Sequence, residues 1–338
     1  MRIIYLTIFL IFIYNNAYTQ KNQEIRENEI SKFTKFITPD TVLNKSKVIL
    51  GVSAGTALYV GTVYELNQIW YANYPKSKFH FFDDSKEWKG MDKAGHLYTS
   101  YFESNLAFSL LHWAGVKEGK SIYYGAALGS LFQATLEVMD GYSEKWGFSS
   151  YDIEFNTLGS LVFLTQQLAF HDQYMRLKVS SNPFMQYPTT KNIVSHDGQY
   201  FTSLDERAND LFGKSYAETF IKDYNAMTVW ASFNISSIFK TNKIIPSWLN
   251  LAIGYGADNL YGGFDNSWVY ENNIYTLNSS EFPRRNQFYL SFDVDFQKIK
   301  TKKPLLKMLY TMLNVIKVPS PTLEINSAGK FKFHPIYF

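Results

Sequence analysis

The chain has 338 residues, with 33 Lys plus Arg against 30 Asp plus Glu, and the resulting net charge of +3 provides no global attraction to nucleic acid. Hydrophobic residues make up 46% and aromatic residues 18%, which excludes a disordered chain and favours heavy burial or a membrane interface. The absence of cysteine excludes disulfides, thiolate metal sites, thiol nucleophiles and a lipid-modified cysteine, so any metal must be held by His, Asp, Glu or Asn.

Arg2 precedes the apolar run Ile3 to Tyr14, and Asn15, Asn16, Ala17, Tyr18 and Thr19 follow. This order predicts a secretory signal peptide over 1–19 with cleavage near Thr19, because a core of about 12 apolar residues is too short to span a bilayer. A polar lead covers 20–47. Four apolar segments then read as helices, Val48 to Tyr64, Leu97 to Ala114, Ser121 to Leu136 and Phe155 to Phe170, and predict a helical domain over 48–171. Small-residue pairs, Gly51 with Gly55 and Gly125 with Gly129, would let helix axes approach closely.

A polar connecting segment covers 172–227, with a short helix near Leu204 to Lys222. Alternation of period two then predicts strands at Thr228 to Ser236, Leu249 to Tyr255 and Phe288 to Phe296, and a hairpin from Thr322 to Asn326 and Lys330 to Phe338. Pro304 opens a helix whose stripe of Leu305, Met308, Leu309, Met312 and Ile316 predicts a cover for one sheet face. About five strands are too few to close a membrane barrel. The expected fold is therefore α+β: an apolar four-helix bundle followed, over 228–338, by a small antiparallel sheet with one covering helix. The loop from Gly256 to Phe282 reads as a surface flap.

Ionisable residues at the ends of these apolar helices are the informative feature. Asp92 and His96 are four apart, with Ser100 and Glu103 continuing their face; Gln133, Glu137 and Asp140 end the third helix; Ser149, Asp152 and Asn156 begin the fourth. Antiparallel packing through short connections would bring Asp92, His96, Glu137, Asp140, Asp152 and Asn156 to one end of the bundle. Asp92, His96, Glu137 and Asp152 could then ligate a divalent metal, with Asn156 orienting, and such a metal would activate water for hydrolysis. Without a metal, His96 and Glu137 could share acid and base work. Each residue also has a structural role open to it: Asp92 as a helix cap, Ser149 with Asp152 as a capping box, Asp140 with Gly141 as a stop and turn, His96 in a core network. His80, His112, His171, Arg284 and Arg285 are weaker candidates for ligands. There is no Gly-rich phosphate loop, G-x-S-x-G elbow or H-E-x-x-H pair.

D-K-A-G-H at 92–96, E-V-M-D-G at 137–141, W-G-F-S at 146–149 and D-I-E-F-N at 152–156 with Gly159 resemble the YfiM-like family of predicted periplasmic or outer-envelope proteins of unknown function. The later segments K-D-Y-N at 222–225, P-S-W-L-N-L-A-I-G-Y-G-A at 246–257 and Y-L-S-F-D-V-D at 289–295 are similar to its longer members in Gram-negative bacteria. Asp92, Lys93, His96, Glu137, Ser149, Asp152, Asn156 and Gly159 also resemble a more distant pattern in VanZ-like membrane proteins. The resemblance implies an exported protein of the periplasm or outer membrane with no demonstrated reaction. The expected function is a membrane-associated envelope protein with a polar pocket able to hold a divalent metal. The alternatives are a metal-dependent hydrolase or transferase acting on an envelope lipid or cell-wall precursor, and a non-catalytic scaffold. The expected partner is a membrane or membrane lipid and not nucleic acid; nothing in the sequence identifies a protein partner.

Overall fold

The computed structural model describes residues 31–68, 75–239 and 245–338, so the expected signal peptide at 1–19 lies outside the described residues. Four long helices come first: α1 (Lys45–Leu66), α2 (Met91–Trp113), α3 (Glu118–Asp140) and α4 (Ser150–Phe170). α2 is the centre of the packing. α3 runs antiparallel to it and α4 parallel, as shown by Gln133 Nε2 donating to Glu103 Oε1 at 2.9 Å and by Ser100 Oγ lying 2.7 Å from Ser160 Oγ.

Glycine makes these approaches possible. A Cβ on Gly129 would lie 2.7 Å from the Ser100 carbonyl oxygen, and one on Gly159 would lie 2.3 Å from that of Leu97, both inside van der Waals contact. The small-residue pair of α3 therefore forms a real helix contact. The pair in α1 does not, because a Cβ on Gly55 meets nothing within 4 Å. α1 touches α3 mainly through Tyr59 stacked on Phe132, with ring centroids 4.7 Å apart, and its only buried residue is Lys47. The expected four-helix bundle is thus a tight three-helix unit with α1 alongside.

A six-stranded antiparallel sheet follows. Its strands are β1 (Met175–Ser181), β4 (Met227–Asn234), β5 (Leu249–Asp258), β8 (Arg285–Val294), β9 (Ser320–Asn326) and β10 (Phe331–Tyr337), in that spatial order. β1 falls in the stretch expected to be a connection, where its sequence M-R-L-K-V-S-S carries charge at positions that prove buried. The connecting segment also holds the two-residue strands β2 (Ile193–Val194) and β3 (Phe201–Thr202) and the helices α5 (Leu204–Phe212) and α6 (Tyr216–Lys222). The one-turn helix α7 (Ile235–Phe239) follows β4, and the expected flap contains the hairpin β6 (Ser267–Tyr270) and β7 (Asn273–Thr276).

The sheet is polar inside and apolar outside over much of its width. Ser232, Asn234, Asn250, Ser291, Asp293 and Thr322 are buried, as are Arg176 and Lys178. Arg176 Nε pairs with Asp295 Oδ2 at 2.9 Å and Lys178 Nζ with Asp293 Oδ2 at 2.8 Å, which satisfies charges that would otherwise be costly to bury. On the opposite face Leu177 packs with Tyr101 of α2 and Phe163 of α4, so helices cover the β1 end. The β8 to β10 end is uncovered. The helix α8 (Pro304–Leu313) does not serve as its lid, since Leu305, Met308, Leu309 and Met312 are exposed. This overturns the expected covering helix.

Candidate functional site

The site forms where α2 and α4 begin and α3 ends. Before α2, Trp88, Lys89 and Gly90 take consecutive positive φ values of 48°, 55° and 78°, a sharp turn that only Gly90 adopts without strain. Contacts from the sheet side hold this turn: the Tyr255 hydroxyl donates to the Lys89 carbonyl, Asn286 Nδ2 donates to the same oxygen at 3.1 Å, and Trp88 N donates to the Gly263 carbonyl at 2.7 Å. Met91 is then fully buried against Ala257 and Leu260. The cap position of α2 belongs to Gly90, so Asp92 is not the cap and its carboxylate is available for other contacts.

At α4, Ser149 Oγ accepts from Asp152 N at 3.0 Å, as a capping serine should. The return bond of a capping box comes from elsewhere, because Ser149 N donates to Glu137 Oε2 at 3.4 Å. Asp152 is thereby released from capping and faces the cluster.

Two cations share the carboxylates. Lys93 Nζ lies 2.7 Å from Asp84 Oδ2, 2.8 Å from Asp92 Oδ2 and 2.6 Å from Asp152 Oδ1. His96 Nε2 lies 3.8 Å from Asp92 Oδ1, 3.8 Å from Glu137 Oε1 and 3.6 Å from Asp152 Oδ1. His96 Nδ1 is 3.0 Å from Asn156 Oδ1, an atom that only accepts, so Nδ1 carries the hydrogen and Nε2 is the nitrogen turned to the acids. Ser149 Oγ donates to Asp84 Oδ1 at 2.6 Å and the Tyr224 hydroxyl to Asp92 Oδ1 at 3.0 Å. Glu137 is almost fully buried at 1% exposure, while the His96 side chain keeps 19%, so solvent reaches the group from the His96 and Asp92 side.

The electrostatics follow from crowding and burial. Burial pushes Asp152 up to about 8, helped by Asp92 and Glu137 and opposed by His96. Burial likewise lifts Glu137 to about 7, with His96 opposing and Asp140 adding. For His96, burial favours the neutral ring, but Asp92, Asp152 and Glu137 outweigh it and raise the imidazole to about 9. For Asp92, burial acts upward, and the charges of His96 and Lys93 with bonds from Lys93 and Tyr224 hold it below the usual carboxylate range. A neighbouring acid, Glu87, is raised to about 7 by burial and by Asp92 and Asp84. The cluster thus holds protons that an added cation would displace.

Among the described residues, Asp92, His96 and Asp152 form the group at metal-ligand spacing, each offering one ligand atom within 4.8 Å of the others. Glu137 approaches His96 alone at the distances above, and its Oε1 is buried without a hydrogen-bond partner among the described residues. Asp140 stands one turn beyond Glu137 and acts on it through charge. The remaining candidates serve the framework: His80 Nε2 bonds the Trp146 carbonyl at 2.8 Å, His171 pairs with Glu118 at 3.0 Å, His112 stacks on Phe108, Arg284 donates to the Gly263 carbonyl at 2.6 Å, and Arg285 lies 3.7 Å from Asp258. Sequence reasoning missed Asp84 and Tyr224, which arrive through tertiary packing, and met Lys93 only as a motif letter. The signal for Lys93 was a cation beside an acid at the start of an apolar helix.

Residues 80–166 match a family model described as a predicted periplasmic lipoprotein (DUF2279). The matched stretch includes every site residue except Tyr224. It supports an uncharacterised periplasmic family and an exported, envelope location, without bearing on the YfiM-like or VanZ-like likeness. The 338 residues contain no cysteine that could be acylated. No curated protein and no solved structure matches the chain.

Proposed function

We propose that the protein is an exported envelope protein that binds a divalent metal ion between Asp92, His96 and Asp152. One observation carries this reading: Nδ1 of His96 is taken up by Asn156, and Nε2 points at oxygens of three carboxylates, Asp92, Glu137 and Asp152, 3.6–3.8 Å away. With the imidazole raised to about 9, a proton on Nε2 meets these anions, and a divalent metal can take the place of that proton. Ligand atoms about 2.0–2.2 Å from a four-coordinate ion lie about 3.3–3.6 Å apart, which the 3.6 Å from His96 Nε2 to Asp152 Oδ1 approaches, while the three ligand atoms together fall within 4.8 Å and would close in on an ion. Asn156 supplies the outer bond that commonly fixes a ligating imidazole, and the mixed oxygen and nitrogen set suits Zn²⁺ or Mn²⁺.

Asp92, His96 and Asp152 would hold the ion, which would supply a water of lowered pKa, and Glu137 beside His96 would be the residue to take up its proton. This extends the reading to hydrolysis of an ester or phosphoester in an envelope lipid or cell-wall precursor, a compartment consistent with the likeness to YfiM-like proteins. A second reading is favoured by Lys93, whose ammonium sits within 2.8 Å of three carboxylates and already neutralises part of the cluster. On that reading the group is a structural network without a metal.

Metal content separates the two. Purified chain dialysed against Zn²⁺ or Mn²⁺ and then desalted should retain about one ion per molecule, and His96→Ala and Asp152→Asn should lose it while His171→Ala keeps it. Wild-type protein that retains no ion would leave the Lys93 network as the function of these residues.

A further inference from the structure

The uncovered end of the sheet presents one apolar surface built from four strands. Ile253 pairs with Leu290, Leu290 with Leu323 and Leu323 with Phe333, so these four side chains form a row across β5, β8, β9 and β10. A second row runs through Phe288, Ile325 and Phe331, with half-buried Tyr255 of β5 at its covered end. The surface lies open: Phe331 is 80% exposed and Phe333 61%. The strand faces turned the other way carry Ser291, Asp293, Thr322 and Glu324, all buried. Polar inside and apolar outside is the polarity of a sheet in contact with lipid, the reverse of one facing water.

The segment after β8 presents a second exposed apolar face, and it is cationic. α8 exposes Leu305, Met308, Leu309 and Met312, and its flanks carry the exposed Lys300, Lys302, Lys303 and Lys307. No acidic residue occurs between Phe296 and Leu323, and none of these four lysines makes an ion pair among the described residues. Phe296, two residues past the end of β8, stacks on Tyr310 of α8. An apolar helix face flanked by lysines is the pattern of a helix lying in the headgroup layer of an anionic membrane.

We infer that the apolar face of β5, β8, β9 and β10, together with α8, is a docking surface for an anionic lipid bilayer. The acyl region takes the Phe and Leu rows, and the headgroups take the lysines. Aromatic and long aliphatic side chains suit that boundary. This inference rests on residues outside the metal site and stands or falls separately from it.

The test is flotation of the full purified chain with vesicles of phosphatidylcholine alone and of phosphatidylcholine with about one third phosphatidylglycerol, a fraction chosen to make the surface clearly anionic. Wild-type chain should float with the anionic vesicles and at least tenfold less with the neutral ones. The double variant Phe331→Asp, Phe333→Asp should lose flotation while its thermal melt and metal content stay at wild-type values. The triple variant Lys302→Glu, Lys303→Glu, Lys307→Glu should lose the preference for anionic vesicles. Equal flotation with both vesicle types, or flotation unchanged in the double variant, would overturn the inference. So would sedimentation showing that wild type pairs with a second copy through this face and that the double variant is a monomer. Because metal content is read on the same variants, failure here is distinguishable from failure of the metal site.

Discussion

Asp152 Oδ1 lies 2.6 Å from Lys93 Nζ and 3.6 Å from His96 Nε2, so one carboxylate oxygen serves two cations from the same helix face. That sharing sets the balance of the cluster. Lys93 is held in its charged form, since the attraction of Asp92, Asp152 and Asp84 exceeds the cost of burial. Its ammonium also competes with any ion seated at His96.

Replacing Lys93 by Met keeps the length of the stem and removes the charge. Asp84 then loses its counter-ion and Asp92 and Asp152 keep only His96, so a loss of about 3–5 kcal/mol is expected from breaking a buried pair. A divalent ion should restore part of that loss. Thermal melts of Lys93→Met with EDTA and with Mn²⁺ should differ by more than the same pair of melts on wild type. Identical shifts in both proteins would show that the lysine and the metal do not share ligands.

Ser149 performs two jobs through one hydroxyl, accepting from Asp152 N and donating to Asp84 Oδ1. Ser149→Ala should cost about 1 kcal/mol for the cap and about 1 kcal/mol more for the unmade bond to buried Asp84. Ser149→Thr keeps both contacts and should recover most of this. Urea midpoints of the two variants provide the measurement, and an alanine variant as stable as wild type would remove Ser149 from the network.

How legible this arrangement is depends on the kind of information each feature needs. His96, Glu137 and Asp152 are found together because helical spacing fixes the face of each residue and short connections bring the helix ends together. Asp84 and Tyr224 carry no such spacing, since one precedes the helix by a strained turn and the other reaches Asp92 from beyond β1. The sheet shows a different limit. Period-two alternation correctly sorts Phe288, Leu290 and Phe292 from Tyr289, Ser291 and Asp293, but alternation assigns two faces without stating which one is buried. The buried face here is the polar one, held by Lys178 and Arg176 from a strand whose charges hid it from a hydrophobicity pattern.

The glycine contacts make a prediction of opposite signs. Alanine normally stabilises an exposed helix interior relative to glycine by about 0.5–1 kcal/mol, and Gly55→Ala in α1, with open space around it, should gain that amount. Gly159→Ala places a methyl 2.3 Å from the Leu97 carbonyl, where backbone must shift, and should lose about 1–3 kcal/mol. Its separation of α2 from α4 should also weaken metal retention by His96 and Asp152. Chemical denaturation gives the sign at each position, and a stabilised Gly159→Ala would contradict the close packing of α2 on α4.

Glu103 gives a pH dependence set chiefly by its own burial. It sits on α2, with Oε1 bonded by Gln133 Nε2 at 2.9 Å and Oε2 buried without a partner among the described residues. Burial raises its carboxyl to about 7, against the bond from Gln133 and the charge of His96, which act downward. The sign follows from proton linkage: between the unfolded value near 4.5 and the folded value near 7 the native state holds more protons than the unfolded chain. Stability contributed by this group is therefore full below about 4.5, falls as pH rises through the interval, and levels above about 7. Glu103→Gln keeps the shape and removes the titration, so its stability relative to wild type should grow by about 2 kcal/mol between pH 5 and pH 8. Paired urea titrations at the two pH values measure the difference. A gap that stays constant would mean that Glu103 ionises at the same pH folded and unfolded, and that the polar line from His96 along α2 is open to water.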